Sequence, residues 1–220
     1  MSDMSLEEQF DRWADDYDDA VRDETTYPFD GYRRVLSRVL ELAAITPGME
    51  VLELGPGTGN LTAQLLAAGA AVWAVDFSAE MIARARRKAP QAIFAKAGLM
   101  DGFPPEFRRP FARVVATYTL HELPLPDKLI LLRRLFAHHL APDGFVVAGD
   151  IGFPDAAARD VMRAQAGDNW DEEPFWIRDE ITVALRDAGL TIGWEQISGC
   201  GAVMTISNPR IHRHCKVPIT

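Results

Sequence analysis

Apolar positions follow two textures along the chain. Near the start, Leu6, Phe10, Trp13 and Tyr17 recur at helical spacing behind a Ser5/Glu8 capping-box pattern, which predicts a helix over 5–22. Pro28 interrupts 24–30, and Tyr32, Val35, Leu36, Val39 and Leu40 predict a second amphipathic helix over 30–44, ended by Pro47-Gly48. From Met49 onward, short apolar runs alternate with helical segments: strands over 51–54, 71–75, 93–97, 114–119 and 145–149. Helices over 61–68, from a Ser78 cap to 88, and over 127–140 lie between them, the last halted by Pro142-Asp143-Gly144. Such alternation predicts a parallel sheet covered by helices on both faces. The end differs. After a helix over 177–188, the strands 191–197 and 202–207 are joined by Ser198-Gly199-Cys200-Gly201, a link too short for a parallel crossover, so this pair is antiparallel. Residues 208–220 read as a tail.

Length and composition narrow the class. A chain of 220 residues, 48% hydrophobic and 25% charged, suits one globular domain with a small appendage. No apolar run approaches the ~20 residues that cross a bilayer, and the acidic start does not read as a signal peptide. Two cysteines, Cys200 and Cys215, fit a reducing cytoplasm. Residues 1–30 hold eleven acids against Arg12 and Arg22, which equals the whole net charge of −9; the remainder is balanced. That entry segment repels phosphate backbones, so nucleic acid is disfavoured as a partner.

The chemistry concentrates in Val51-Leu52-Glu53-Leu54-Gly55-Pro56-Gly57-Thr58-Gly59-Asn60, a strand running into alternating glycines before a helix. Asp76 ends the next strand, where a carboxylate can accept both ribose hydroxyls of a nucleoside. A dinucleotide fingerprint would need glycine at position 60, which is Asn60, with Gly59 one residue early. The G-x-G-x-G spacing behind Glu53 resembles motif I of class I S-adenosylmethionine-dependent methyltransferases. Phe10-Asp11-Arg12-Trp13-Ala14…Tyr17-Asp18 resembles the opening of many small-molecule methyltransferases, notably a group of uncharacterised bacterial ones, and 112–123 resembles the motif at the fourth strand. The resemblance implies a three-layer Rossmann-like fold with a seven-stranded, mostly parallel sheet, a C-terminal antiparallel hairpin and an N-terminal helical lid. It divides the chain into a lid over 1–45, a methyltransferase domain over 46–207 and a tail over 208–220.

The same resemblance implies S-adenosyl-L-methionine as cofactor, S-adenosyl-L-homocysteine as product and a small-molecule acceptor. Cofactor contacts are expected at Glu53, Gly55, Gly57, Thr58, Gly59, Asn60, Asp76, Phe77, Met81, Gly98, Leu99, Thr117 and Tyr17. Two departures stand out: Leu99 replaces the family's adenine-binding acid, leaving Asp101 or the Leu99 backbone for that task, and Glu122 replaces a second histidine. Methyl transfer from a sulfonium chiefly needs alignment and exclusion of water, with a base where the acceptor must lose a proton. Candidates are Tyr118 and His121 after the fourth strand, His121 being either base or loop anchor. Glu122 is a complement to a cationic substrate or a solvated acid, and Asp150 ends the fifth strand as substrate contact or cap. The Phe10, Trp13, Tyr17 stripe is either core or a lid with its acidic face to water, and 167–176 either walls the acceptor pocket or packs as surface loop. No metal site is expected, His138-His139 facing apart and His212, His214 and Cys215 lying in a basic tail. The state is monomer or homodimer, with no membrane attachment. A non-catalytic cofactor sensor and a tRNA or protein methyltransferase are the competing functions.

Overall fold

The computed structural model describes residues 4–209. Strands β1 (Glu50–Leu54), β2 (Ala71–Asp76), β3 (Ile93–Lys96), β4 (Phe111–Thr117), β5 (Leu140–Phe153), β7 (Thr191–Gln196) and β8 (Gly201–Ser207) form one sheet ordered β3-β2-β1-β4-β5-β8-β7. The first five are parallel, and β8 runs antiparallel to both β5 and β7. A two-residue strand, β6 (Trp176–Ile177), pairs with the far end of β5. Order reverses at β1, whose neighbours are β2 and β4, and this switch point opens a crevice at the strands' carboxyl ends.

Alternation along the strands builds two apolar layers. Val51, Val115 and Val147 pack with Val35, Leu36 and Val39 of α3 (Tyr32–Ala43) and with Leu61 and Leu65 of α4 (Asn60–Ala67). Leu52, Leu54, Val114 and Val146 point the other way, onto Leu131, Leu132 and Leu135 of α6 (Leu125–His138) and Ile181 and Leu185 of α8 (Arg178–Asp187). Helix α5 (Ala79–Lys88) covers β2 and β3 through Ile82 and Ala85, and Ser78 caps it by accepting from the Met81 N–H at 3.1 Å.

Four sequence expectations are corrected. The N-terminal helix is not continuous: α1 (Leu6–Trp13) stops at buried Ala14, and α2 (Tyr17–Ala20) follows a turn. Asp15, Asp16, Asp18 and Asp19 crowd this stretch with like charge, which an unbroken helix would stack on adjacent turns. Second, α6 ends at His138, and Pro142-Asp143-Gly144 lie within β5, where a register shift opposite Phe111 and Arg113 accommodates them. Third, Asp150 does not end β5; the strand continues to Phe153 and buries it. Fourth, α7 (Ala156–Ala166), capped by Asp155 through the Ala158 N–H, was unforeseen; it buries no residue fully and meets the core only through half-buried Ala158 and Met162. Residues 210–220, with His212, His214 and Cys215, lie outside the described residues.

Candidate active site

A cavity of about 280 Å³ sits over the switch point, lined by the ends of β1, β2 and β4 and roofed by Leu6, Phe10 and Tyr17. Its volume is at the low end for a small-molecule site. The three glycines after β1 serve it in different ways. Gly57 has φ +53° and nothing within 4 Å of where a Cβ would stand, so its backbone faces open space. Gly55 is pressed against the Thr119 side chain, and a Cβ on Gly59 would lie 2.9 Å from the Ala85 Cα, so these two allow close packing of the loop.

Asp76 closes one wall. Its carboxylate accepts the Gly57 N–H at 3.1 Å and the Ser78 N–H at 2.9 Å, which leaves lone pairs on both oxygens toward the cavity. Burial pushes its pKa up to about 6, against those backbone donors. Glu53, fully buried behind the loop, accepts the Thr62 hydroxyl at 2.7 Å on one oxygen, while the other has no hydrogen-bond partner among the described residues. Burial raises it to about 7. At the third wall the Asp101 carboxylate folds back over Gly98, and Arg134 of α6 donates to the Leu99 and Met100 carbonyls. Leu99 and Asp101 both line the space.

The roof is tied down by charge. Asp11 accepts the Ser78 hydroxyl at 2.5 Å and the Glu80 N–H at 3.3 Å. Asp18 accepts from Thr58 at 2.6 Å and pairs with Lys88 at 2.6 Å; Glu7 pairs with Lys96 at 2.6 Å, and Asp15 with Arg84. The acidic face was expected to look toward water; Glu7, Asp15 and Asp18 instead pair, partly exposed, with basic groups of the body, and Asp11 caps the start of α5. Phe10 meets the edge of Phe77 at 5.2 Å, and Trp13 meets Tyr17 at 4.9 Å.

Opposite the glycine loop, a different construction appears. His121 is 7% exposed, and its Nδ1 lies 2.6 Å from Asp150 Oδ1. Asp150 also accepts the N–H groups of Leu120 (2.9 Å), His121 (3.0 Å) and Ile151 (2.9 Å) and the Trp176 indole N–H (3.0 Å). Burial favours the neutral acid, but the His121 charge and these donors outweigh it, and Asp150 titrates below the usual carboxylate range. Burial likewise opposes a charged His121, and Asp150 overrides it, raising the ring's pKa. His121 Nε2 stands 3.6 Å from Glu122 Oε1 and 3.7 Å from Glu173 Oε2. Burial raises the pKa of both glutamates, Glu173 to about 7. Lys128, nearly fully buried and lowered by that burial to about 8, donates to the carbonyls of Leu123 and Pro174, clamping the two carboxylate-bearing segments together.

Of the residues read from sequence, Tyr17, Gly55, Gly57, Asn60, Asp76, Phe77, Met81, Gly98, Leu99, Thr117 and Tyr118 line the cavity. Glu53, Thr58, Gly59 and His121 do not; they stand behind the lining, Thr58 because Asp18 and Lys88 hold its hydroxyl. Trp170 and Phe175 pack with Tyr27 and Phe153 rather than against this space, so of that segment only Glu173 approaches it, through His121 and Glu122. Sequence reasoning missed Leu6, Tyr32 and Thr119 as lining, and Glu173 as a partner of His121. Tyr32 was legible only as a helical core position, and nothing in the spacing joins residue 173 to residue 121.

Residues 28–193 match the family model described as a methyltransferase domain. An uncharacterised methyltransferase of Geobacillus thermodenitrificans is 31% identical over 204 residues, covering 85% of this chain and 89% of that protein. One from Bacillus licheniformis is 34% identical over 164 residues, covering 73% and 74%. Among solved structures, DhpI in complex with SAH superposes with a TM-score of 0.68 at 21% identity, covering 91% of this chain and 93% of that one. A TehB-like SAM-dependent methyltransferase from Corynebacterium glutamicum gives 0.63 at 17% identity, covering 90% and 98%. The chain belongs to the methyltransferase family, and its cavity lies where the S-adenosylmethionine-dependent methyltransferase fold opens at the sheet's switch point.

Proposed function

We propose that this enzyme transfers the methyl group of S-adenosylmethionine to a small-molecule acceptor held at the Tyr118–Leu123 end of the cavity. The observation that carries the reading is Gly57, a left-handed glycine facing open space beside the buried Asp76 carboxylate. The residues fit the cofactor: Asp76 offers lone pairs for ribose hydroxyls, Leu99 and Asp101 flank a base, and the unpartnered Glu53 oxygen lies buried behind the glycine loop on the side of the amino-acid portion. S-adenosylmethionine supplies an electrophilic methyl on a sulfonium and a thioether leaving group. The chain supplies the alignment. Gly57 and Asp76 fix one end, Phe10 and Tyr17 cover it from water, and Tyr118 and Glu122 bound the acceptor side. His121, oriented by Asp150, stands one residue behind as the base for an acceptor that must lose a proton.

In this reading, the segment up to residue 45 is a lid, 46–207 is the catalytic domain and the product is S-adenosylhomocysteine. Small acceptors suit the roofed cavity and the acidic entry segment better than nucleic acid does. No described helix is long and apolar enough to cross a membrane, and the sparse cysteines support a cytoplasmic setting. Calorimetry with S-adenosylhomocysteine and with NAD tests the cofactor, and methyl-labelled turnover against metabolite, tRNA and protein pools tests the acceptor. Saturable NAD binding without a response to S-adenosylhomocysteine would overturn the reading.

A further inference from the structure

We infer that the acceptor is an amine, whose ammonium form docks among His121, Glu122 and Glu173 and gives up a proton there before it is methylated. The inference rests on the proposed methyl transfer and names its substrate class. Its basis is a convergence of negative charge on one ring nitrogen. His121 Nδ1 is held by Asp150, which leaves Nε2 facing the two glutamates with no hydrogen bond of its own. Two carboxylate oxygens face that nitrogen at 3.6 and 3.7 Å. Lys128, the nearest lysine, spends its donors on the Leu123 and Pro174 carbonyls instead. Glu122 belongs both to this cluster and to the cavity wall, so a group bound here reaches the methyl-transfer chamber.

The three side-chain atoms lie within 4.8 Å of one another. The group bound here must carry the nucleophile in the methyl-transfer reading, which an amine does and a metal ion does not, and Mn²⁺ serves below as the control for the second. An anionic acceptor would meet Asp150, Glu122, Glu173 and Asp171 with only His121 and Lys128 in compensation. In the empty protein, a proton on Nε2 serves the two carboxylates, and the ammonium replaces it. One ammonium proton then passes to His121 Nε2. The freed nitrogen lone pair forms the N–CH3 bond as the carbon–sulfur pair stays on sulfur, leaving a thioether, a methylated ammonium and a protonated His121 that returns its proton to water.

The test uses the full chain saturated with S-adenosylhomocysteine, with His121 followed by the NMR signal of its ring Cε1–H. Benzylammonium, benzyl alcohol, benzoate and Mn²⁺ are the probes. Benzylammonium should shift the His121 signal saturably, more tightly as pH rises through the His121 titration; Asp150, Glu122, Glu173, Asp171 and Lys128 are the charged groups that set it. Glu173→Gln and Glu122→Gln, each checked for an unchanged melting temperature, should weaken that binding about tenfold by removing one charge-assisted bond. Methyl-labelled turnover should favour amines over matched alcohols. A wild-type His121 signal that ignores benzylammonium, or one displaced only by Mn²⁺ or benzoate, overturns the inference. So does benzylammonium affinity that survives both substitutions. Failure of S-adenosylhomocysteine to bind at the outset would instead overturn the methyl-transfer reading.

Discussion

The two ends of the cavity are built on opposite principles. At the proposed cofactor end, the decisive atoms belong to the backbone or to single residues at strand ends: Gly57, Asp76, Gly98. At the proposed acceptor end, the decisive atoms are side chains from three separated stretches, His121 and Glu122, Asp150 and Glu173, joined by one buried carboxylate and one buried lysine. A backbone site is set by where the strands end. A side-chain site holds only while its charges stay balanced.

That contrast implies an order of damage. Asp150→Ala should be the most severe, because it strands the N–H groups of Leu120, His121 and Ile151 and the Trp176 indole in the interior. A loss of about 3–5 kcal/mol is expected in urea unfolding. Gly57→Val should cost the fold only about 1–2 kcal/mol, the strain of a left-handed backbone, yet abolish S-adenosylhomocysteine binding by calorimetry. It places a branched side chain in the open space at φ +53°, at a cost of about 3 kcal/mol or more in binding. A strong fall in stability for Gly57→Val, with binding kept, would erase the distinction between the two ends.

Asp76→Ala should weaken S-adenosylhomocysteine by roughly 1.5–3 kcal/mol, the worth of hydrogen bonds to a charged acceptor. The ionised carboxylate is the form that accepts the ribose hydroxyls. Because burial lifts Asp76 to about 6, affinity should fall as pH drops through that value and hold steady above it. Linkage to folding has the opposite sign. Asp76 and Glu53 both titrate higher folded than unfolded, so they favour the fold at low pH, and that contribution is lost as pH rises from ~4 through about 6 and about 7. Asp76→Asn should flatten the binding profile. The smallest effect belongs to the roof: Asp18→Ala breaks a half-exposed pair and should cost only about 0.5–1 kcal/mol. It should be visible as faster hydrogen exchange over residues 6–20 with the sheet unchanged.

The same division explains what could be read from the sequence. The parallel strands and final hairpin were legible because buried strands are apolar runs and short links forbid crossovers. The glycine loop was legible because a tight chain reversal through left-handed backbone leaves glycine as its mark. Asp150 was visible as a residue, but its burial was not, since β5 extends four residues past the expected stop. Glu173 was one acid among several in a mixed segment until the fold carried it 52 positions back to His121. The acids of α1 and α2 misled differently. Their partners Arg84, Lys88 and Lys96 looked like the ordinary basic end of a distant helix and strand, so a docking face was taken for a solvated one.

That paired charge makes the roof and the body respond to different variables. The sheet is held by apolar contacts that salt scarcely weakens, whereas α1 and α2 add to the packing of Trp13, Tyr17 and Ala20 the partly exposed pairs of Glu7, Asp15 and Asp18, which counter-ions screen within about 10 Å at 0.1 M ionic strength. On the proposed lid reading, ionic strength tunes the roof's opening rate without unfolding the sheet beneath. An enzyme limited by departure of spent cofactor would turn over faster in moderate salt, and slow again once the roof no longer stays shut long enough to keep water out.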